Sequence, residues 1–326
     1  MGKSARQPLV DHSRENLARV GQLYVEWVKR HAERSPHKGG TSLGERVLRL
    51  SDLLPGLEKQ TARVDGHRMV YWALGSRKAP PVVLVHGFGA SKENWLSMAL
   101  WLKRRYRLLI PDLPGFGESD YGMDRRYDYA TQAERLAGWY RDMDLAPAHW
   151  AGSSMGGGIV AALSALHPDV VVSATLMNAA GVGAPHPSAI DEGLLEGENR
   201  LVPRNYREVD RLFRLVTHKR QRIWRTVLAP VVASSMMRRN NAGHHIFHDM
   251  LTPEQSIIDL APRISKPTYL FWGDQDAVVH ASCTEVYKQL IPHARVTVLE
   301  GVGHLPMVEV PRQSARLLTD FWTQAS

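Results

Sequence analysis

Short apolar runs alternate with helical patterns along most of the chain. The six runs lie at 82–85, 107–110, 149–151, 174–177, 268–272 and 295–299. Runs of this kind, ending at loop signals, are typical of strands buried on both faces. The helical patterns between or after them lie at 131–143, 157–166, 284–290 and 312–322. This alternation predicts an α/β fold in which helices flank a mostly parallel central sheet.

The amino-terminal part departs from this alternation. Apolar residues recur every three or four positions from Leu17 to Val28, which predicts an amphipathic helix. A stretch of Gly, Pro, Ser and His at 35–42 breaks the pattern, so we expect residues 1–49 to form a helical extension. Two β-compatible runs flank the turn signal Asp65-Gly66 and predict an antiparallel hairpin at the start of the main body.

A second departure lies between residues 183 and 264, where helical patterns run without an obvious strand. We expect a helical cap there, inserted into an α/β core formed by residues 50–182 and 265–326. Twelve apolar residues of this segment line a pocket under the cap or form the cap's own core. They are Leu212, Phe213, Leu215, Val216, Ile223, Trp224, Val227, Leu228, Met236, Met237, Ile246 and Phe247.

Composition limits the class of protein. Hydrophobic residues make up 44% of the chain and charged residues 23%, which is ordinary for a globular protein and excludes fibrous or disordered classes. The longest apolar stretches are far shorter than the about 20 residues that a membrane helix needs. The first twenty residues carry six charged side chains and no apolar signal segment. The single cysteine, Cys283, excludes an internal disulfide, so we expect a cytoplasmic protein.

The chain is basic, with a formal net charge of +8 at pH 7. A charge of this sign favours anionic lipid or acidic ligands as partners. The sequence lacks the zinc-finger, ribonucleoprotein and basic-heptad patterns of nucleic-acid-binding proteins, and we therefore expect no nucleic-acid partner.

The pentapeptide Gly152-Ser153-Ser154-Met155-Gly156 has the form G-x-S-x-G. A strand-like run precedes it and small, helix-compatible residues follow, which is the strand, turn and helix context that a nucleophile elbow requires. Glycines on either side allow strand and helix to approach closely around a central residue with positive φ. Ser154 is therefore the candidate nucleophile, with a tight glycine turn inside the sheet as the alternative.

A serine hydroxyl needs a base and an acid that orients the base. Asp274 and Asp276 follow the apolar run at 268–272, and we favour Asp276 because it lies further into the loop, where it can accept a hydrogen bond from a histidine. His304 follows the last apolar run in a glycine-containing loop and is the candidate base. In proteins with this motif, the three residues follow one another along the chain in the order serine, acid, histidine.

The segment His86-Gly87-Phe88-Gly89 follows the first buried run. This is the expected position for half of an oxyanion hole. The backbone N–H groups of Phe88 and Met155 are the candidate donors, each worth about 3 kcal/mol in the transition state. We expect the side chain of His86 to brace this loop rather than to react.

Together these residues resemble the α/β-hydrolase superfamily from about Gly56 to Trp322. The stretches at 86–95, 112–117, 153–157 and 178–181 look most like its monoacylglycerol lipase branch and the bacterial lipase relatives of that branch. The resemblance implies the α/β-hydrolase fold and a serine hydrolase that cleaves carboxylic esters through an acyl-enzyme. We expect no cofactor and no metal, although His244 and His248 could share one helical face.

The resemblance implies a monoacylglycerol or another single-chain acyl ester as substrate, with medium chains preferred and with the apolar residues of the helical cap forming the acyl pocket. Serine at the elbow is incompatible with the alkyl-ester chemistry of haloalkane dehalogenases and epoxide hydrolases, which need a carboxylate there. Thioester hydrolysis, carbon–carbon bond hydrolysis of the meta-cleavage type and a non-catalytic ligand receptor of the same fold stay open as alternatives. The sequence does not indicate the oligomeric state.

A series of basic residues in the cap recurs at largely helical spacing beside apolar positions. A solvated face has this pattern, and so does a surface helix that meets anionic membranes transiently, through the cap and the amino-terminal helix. The series comprises Arg204, Arg207, Arg211, Arg214, His218, Lys219, Arg222 and Arg225.

Overall fold

A computed structural model of the chain describes residues 7–31, 46–47, 49–218, 232–233 and 235–325. Its centre is an eight-stranded sheet in the order β1-β2-β4-β3-β5-β6-β7-β8. The strands are Leu57–Val64 (β1), His67–Leu74 (β2), Pro81–Val85 (β3), Arg107–Pro111 (β4), Ala148–Ser153 (β5), Val171–Met177 (β6), Thr268–Gly273 (β7) and Arg295–Leu299 (β8). All pairs from β4 to β8 are parallel, whereas β2 runs antiparallel to both β1 and β4. The predicted fold class and hairpin are confirmed.

The helices bear out the sequence patterns, with ends that shift by a few residues except in the first helix, which begins ten residues before the predicted pattern. They are Gln7–His31 (α1), Leu96–Leu102 (α2), Tyr129–Arg141 (α3), Met155–Leu166 (α4), Ala189–Leu195 (α5), Tyr206–Val216 (α6), Asn240–Leu251 (α7), Ile257–Leu260 (α8), Cys283–Leu290 (α9), Pro306–Glu309 (α10) and Pro311–Ala325 (α11). Asp128 caps α3 by accepting a hydrogen bond from Thr131 N.

Two apolar layers enclose the sheet. Buried residues of α3, α4 and α9 cover one face, and those of α2 and α11 cover the other. Every residue of β5 is buried, as is nearly all of α4. Burial on both faces explains why the central strands are continuous apolar runs rather than alternating ones.

The strand order brings three loops to one edge. In the sheet, β3 lies between β4 and β5. The connection after β3 therefore runs to the strand on one side of it, and the connection after β4 crosses to the strand on the other side. The carboxyl ends of β3, β4 and β5 therefore meet at a topological switch point, where ligands bind in sheets of this kind. The loop at 86–91 and the start of α4 both lie there.

The segment between β6 and β7 contains α5 to α8 and, among its described residues, no strand. The helix α1 packs on this segment: Gly183 N donates to Ser13 Oγ (2.9 Å), and Tyr24 OH hydrogen-bonds with His244 Nδ1 (2.7 Å). The division into extension, core and cap stays a prediction. Several predicted cap residues lie outside the described residues: Lys219, Arg222, Ile223, Trp224, Arg225, Val227 and Leu228.

Candidate active site

A strained turn joins β5 to α4. Ser154 occupies this turn with φ 56° and ψ −120°, values that a residue with a Cβ rarely adopts. A Cβ on Gly152 would lie 2.0 Å from Gly156 O, and one on Gly156 would lie 2.3 Å from Val85 O. Only glycine fits at either position, because strand, turn and helix pass within contact of each other's backbones. The predicted strand, turn and helix context is therefore present.

A buried pair of hydrogen-bonded side chains lies across the same edge of the sheet, on the loops after β7 and β8. His304 Nδ1 lies 2.8 Å from Asp276 Oδ2, and both residues are less than 5% exposed. The other carboxylate oxygen, Asp276 Oδ1, accepts hydrogen bonds from Val278 N (2.8 Å) and Val279 N (2.9 Å). These bonds hold one carboxylate oxygen, while the other faces the imidazole ring.

Asp274 has a different environment. It is exposed, and its Oδ1 atom accepts a hydrogen bond from Gly301 N (2.7 Å). It therefore ties the turn after β7 to the turn after β8 and lies beside the backbone rather than beside His304.

Ser154 and His304 line one cavity of about 1040 Å³. Within the described part of the chain no direct hydrogen bond joins their side chains; such contacts commonly tighten only when substrate binds. Many apolar side chains line this cavity, including Leu201, Val202, Leu212, Phe213, Val216 and Ile246. Charged residues form a second part of the lining, including Lys92, Glu118, Arg238 and Arg239. The cavity can therefore hold a molecule with an apolar and a polar part.

The loop after β3 approaches Ser154 closely. A Cβ on Gly87 would lie 3.1 Å from the Cβ of Ser154. Next to it, Phe88 lines the cavity. The N–H of Met155 opens the first turn of α4, where backbone donors have no acceptor within the helix. The two candidate donors thus lie on the two backbone segments that flank Ser154.

His86 braces this loop, as the sequence predicts. Its Nδ1 donates to Gly87 O (2.8 Å) and its Nε2 accepts from Leu113 N (3.0 Å), so the ring is neutral. Burial lowers the pKa of His86, which keeps it unprotonated.

A buried charge cluster secures the end of the same loop. The ammonium of Lys92, 1% exposed, lies 2.8 Å from Asp112 Oδ2 and 3.0 Å from carboxylate oxygens of both Glu93 and Glu118. Burial lowers the pKa of Lys92, but the neighbouring carboxylates outweigh burial and the net pKa is raised. Lys92 N also donates to Asp112 Oδ1 (2.8 Å). The cluster ties the loop after β3 to the loop after β4.

The histidines of α7 serve packing and hydrogen bonding. His244 bonds to Tyr24 of α1, and His248 lies beside Asp249 (Nδ1–Oδ1 3.6 Å). Among the described residues, no group of three His, Cys, Asp or Glu side chains is arranged to hold a metal ion.

Sequence reasoning missed the part that Asn178 plays at this edge of the sheet. It follows β6 directly, and its Nδ2 donates to Asp276 Oδ2 (2.6 Å). Two signals in the sequence point to it: it lies one residue after a buried strand, where polar side chains meet at the carboxyl edge, and it begins the stretch at 178–181 named above. Nothing in the local pattern connects it with a carboxylate 98 residues away.

Comparison with known proteins identifies the family. A family model described as "alpha/beta hydrolase fold" matches residues 80–311. Lipase 1 of Psychrobacter immobilis is 32% identical over 79% of this chain and 81% of its own. Monoacylglycerol lipase abhd6-B of Xenopus laevis is 30% identical over 82% of each chain. A crystal structure titled as a membrane phospholipase A, a novel bacterial virulence factor, superposes with a TM-score of 0.79 at 34% identity, over 87% of this chain and 91% of its own.

The chain belongs to the α/β-hydrolase family. Within it, the chain is a serine ester hydrolase whose substrate is a small-molecule ester. None of the described helices has both the length and the apolar character of a membrane-spanning helix.

Proposed function

We propose that Ser154, His304 and Asp276 form the catalytic triad of this ester hydrolase. Ser154 Oγ attacks the ester carbonyl carbon while His304 Nε2 takes its proton, and the N–H groups of Phe88 and Met155 bind the oxygen that becomes negative. His304 then returns the proton to the leaving alcohol, and Ser154 keeps the acyl group as an ester. Water then attacks the acyl carbonyl carbon while His304 takes its proton; the bond to Ser154 breaks, the acid is released and His304 returns the proton to Ser154 Oγ.

The observation that carries this proposal is the common cavity at the carboxyl edge of the sheet. Ser154 lines this cavity from the strained turn after β5. His304, which is hydrogen-bonded to buried Asp276, lines it from the loop after β8. A buried and fully hydrogen-bonded carboxylate beside the imidazole is the arrangement that stabilises an imidazolium during acyl transfer.

The test is hydrolysis of short p-nitrophenyl esters by Ser154→Ala, with Ser153→Ala as the matched control. Ser153 Oγ is buried and has no hydrogen-bond partner among the described residues, so its removal should change kcat by less than about threefold. Ser154→Ala should lower kcat by about 10⁴-fold or more while the protein stays folded. Full activity in folded Ser154→Ala would contradict the proposal.

We also propose that the substrate is a single-chain acyl ester such as a monoacylglycerol, with a medium-length chain. The apolar lining contributed by Leu212 and Phe213 of α6 and Ile246 of α7 favours an acyl chain under the predicted cap. The charged part of the lining favours a polar alcohol portion. A relative named monoacylglycerol lipase at 30% identity supports this class.

A chain-length series from acetate to laurate esters tests this substrate class, with kcat/KM expected to rise about tenfold or more towards medium chains before it falls. Equal kcat/KM across the series would contradict the lipid substrate. Cleavage of vinylogous 1,5-diketones in preference to esters would instead favour carbon–carbon bond hydrolysis.

Contact with anionic membrane surfaces is a further part of the proposal. Three aliphatic side chains before β1 are exposed, Val47 at 44%, Leu50 at 62% and Leu53 at 78%, and Val47 and Arg49 line the cavity. Apolar and basic side chains together favour an anionic lipid surface. In contrast, Arg211 and Arg214 of α6 pair with Glu198 and Asp210, which weakens the case for α6 as the contact.

Co-flotation with anionic and neutral vesicles at low and high salt tests this contact. The double variant Leu50→Ser/Leu53→Ser should lose most of the vesicle-bound protein, whereas Leu145→Ser, an exposed position before β5 at the opposite edge of the sheet, should not. Equal recovery with both vesicle types, or unchanged binding by the double variant, would contradict it. A cytoplasmic location stays a prediction.

A further inference from the structure

Asn178 lies directly behind the hydrogen-bonded pair of His304 and Asp276. We propose that it is a positioning residue, whose side-chain amide holds the Asp276 carboxylate in the orientation that aligns His304 with Ser154. The proposal rests on the triad assigned above.

The geometry places Asn178 on the carboxylate rather than on the cavity. It is fully buried, and Asp276 Oδ2 accepts hydrogen bonds from both Asn178 Nδ2 (2.6 Å) and His304 Nδ1 (2.8 Å). Its backbone N–H donates to Phe271 O (2.9 Å), which anchors the residue to β7. Asn178 is absent from the lining of the cavity, so it acts on substrate only through Asp276.

Asparagine is suited to holding the Asp276 carboxylate from this position. Asn178 has φ 47°, in the left-handed region that Asn, Asp and Gly adopt most readily. Among these three, only Asn adds a neutral hydrogen-bond donor: Asp would bring a second carboxylate to Asp276, and Gly would bring no side chain. The amide orientation is set as well, because the reverse one would bring its oxygen against a carboxylate oxygen.

The carbonyl end of the same amide supports a role in the site. Asn178 Oδ1 is buried and has no hydrogen-bond partner among the described residues. A buried polar atom in this condition opposes folding. The one described side-chain hydrogen bond of the amide goes to Asp276, so its described contribution lies at that carboxylate.

The hydrogen bond from Asn178 restricts rotation of the Asp276 carboxylate. Without Asn178, backbone N–H groups would hold only Oδ1, and His304 alone would contact Oδ2. The carboxylate plane could then turn about its bond to Cβ and take the imidazole out of line with Ser154. Since no substrate contact is lost, kcat should fall while KM stays constant.

Two variants separate the hydrogen bond from the backbone conformation. Asn178→Gly keeps the positive φ and removes the amide; Asn178→Asp keeps the shape and replaces the donor by a carboxyl group. Asp144→Gly is the matched control, since Asp144 also has a positive φ (50°) but lies exposed in the loop before β5. Asp276→Asn is measured beside them with the same p-nitrophenyl ester.

Asn178→Gly should lower kcat by about tenfold, as expected for one hydrogen bond to a charged group, with KM within twofold of the Asp144→Gly control. Asn178→Asp should come closer to wild-type kcat than Asn178→Gly at the acidic end of the activity range, because two carboxyl groups this close share one proton and the protonated one still donates a hydrogen bond. Its kcat relative to wild type should fall as pH rises and that proton is lost. A packing role alone does not predict this pH-dependent loss.

The outcomes separate the two proposals. If Asp276→Asn is inactive while Asn178→Gly has a kcat within threefold of the control, or if the kcat of Asn178→Asp relative to wild type does not fall as pH rises, the role of Asn178 is wrong and the triad stands. If Asp276→Asn keeps full activity, the triad itself is wrong. Should Asn178→Gly fail to fold, the pH profile of Asn178→Asp still decides the question.

Discussion

At the residue scale, the turn that carries Ser154 depends on backbones that touch. Gly156→Ala would bring a Cβ to 2.3 Å from Val85 O, so either β3 or α4 must move. We expect this change to destabilise the fold by about 2–4 kcal/mol and to lower esterase activity.

The matched control is Gly138→Ala in α3, where a Cβ would meet nothing within 4 Å. This change should raise stability by up to about 1 kcal/mol, because alanine loses less backbone entropy in a helix. Urea unfolding measures both variants. Equal effects at the two positions would show that the elbow can relax around an added methyl group.

The two candidate acids lead to a second prediction at this scale. Asp276→Asn should lower kcat by about 10³–10⁴-fold because His304 loses the charge and the tautomer that its base role requires. Asp274→Asn should keep kcat within a fewfold and cost about 1 kcal/mol through the weakened bond from Gly301 N. Comparable losses of kcat in both variants would contradict the assignment.

At the element scale, α1 is fastened to the segment between β6 and β7 by a buried tyrosine. Tyr24 OH bonds to His244 Nδ1 (2.7 Å) and accepts from Asn199 Nδ2 (3.0 Å). Tyr24→Phe should cost about 1–3 kcal/mol, because two buried polar groups lose their partner. The exposed pair between Arg14 and Asp259 provides the comparison: Arg14→Ala should cost less than about 1 kcal/mol. Chemical unfolding followed by tryptophan fluorescence measures both, and equal costs would contradict this ranking.

The helix α1 also shows the limit of predicting helix ends from the spacing of apolar residues. The pattern from Leu17 to Val28 predicts a helix, yet α1 begins ten residues earlier, at Gln7. The added turns contain Ser13, a buried polar residue whose partner Gly183 lies 170 positions away. Because a polar residue breaks the apolar period, the sequence alone does not extend the helix through it.

At the scale of the whole molecule, two buried histidines make stability depend on pH. Burial lowers the pKa of both His149 and His244 to about 4. In the unfolded chain a histidine has a pKa of about 6.5, so between about pH 6.5 and pH 4 the unfolded state binds protons that the folded state does not. Stability therefore falls as pH falls through this window, by about 2 kcal/mol per histidine between pH 7 and pH 5.

Urea unfolding at pH 7 and pH 5 measures this loss. His149→Asn, which removes the titrating ring beside Ser173, should show a pH-dependent loss that is smaller by about 2 kcal/mol. His280→Asn is the control, since it removes a histidine ring that is only partly buried, and its pH-dependent loss should exceed that of His149→Asn. The same dependence in wild type and His149→Asn would contradict the prediction.

Residue patterns alone are enough to predict the fold class, the order of strands and helices along the chain, and the pentapeptide around Ser154. These depend on residues within a few positions of each other: apolar runs, turn signals and glycines that leave room for crossing backbones. The tertiary structure alone decided which carboxylate lies beside His304 and that Asn178 bonds to it. Those contacts span 28 and 98 positions, and they exist because parallel pairing aligns the carboxyl ends of β6, β7 and β8 at one edge. No local pattern encodes such a distance, since it depends on the order of strands in the sheet.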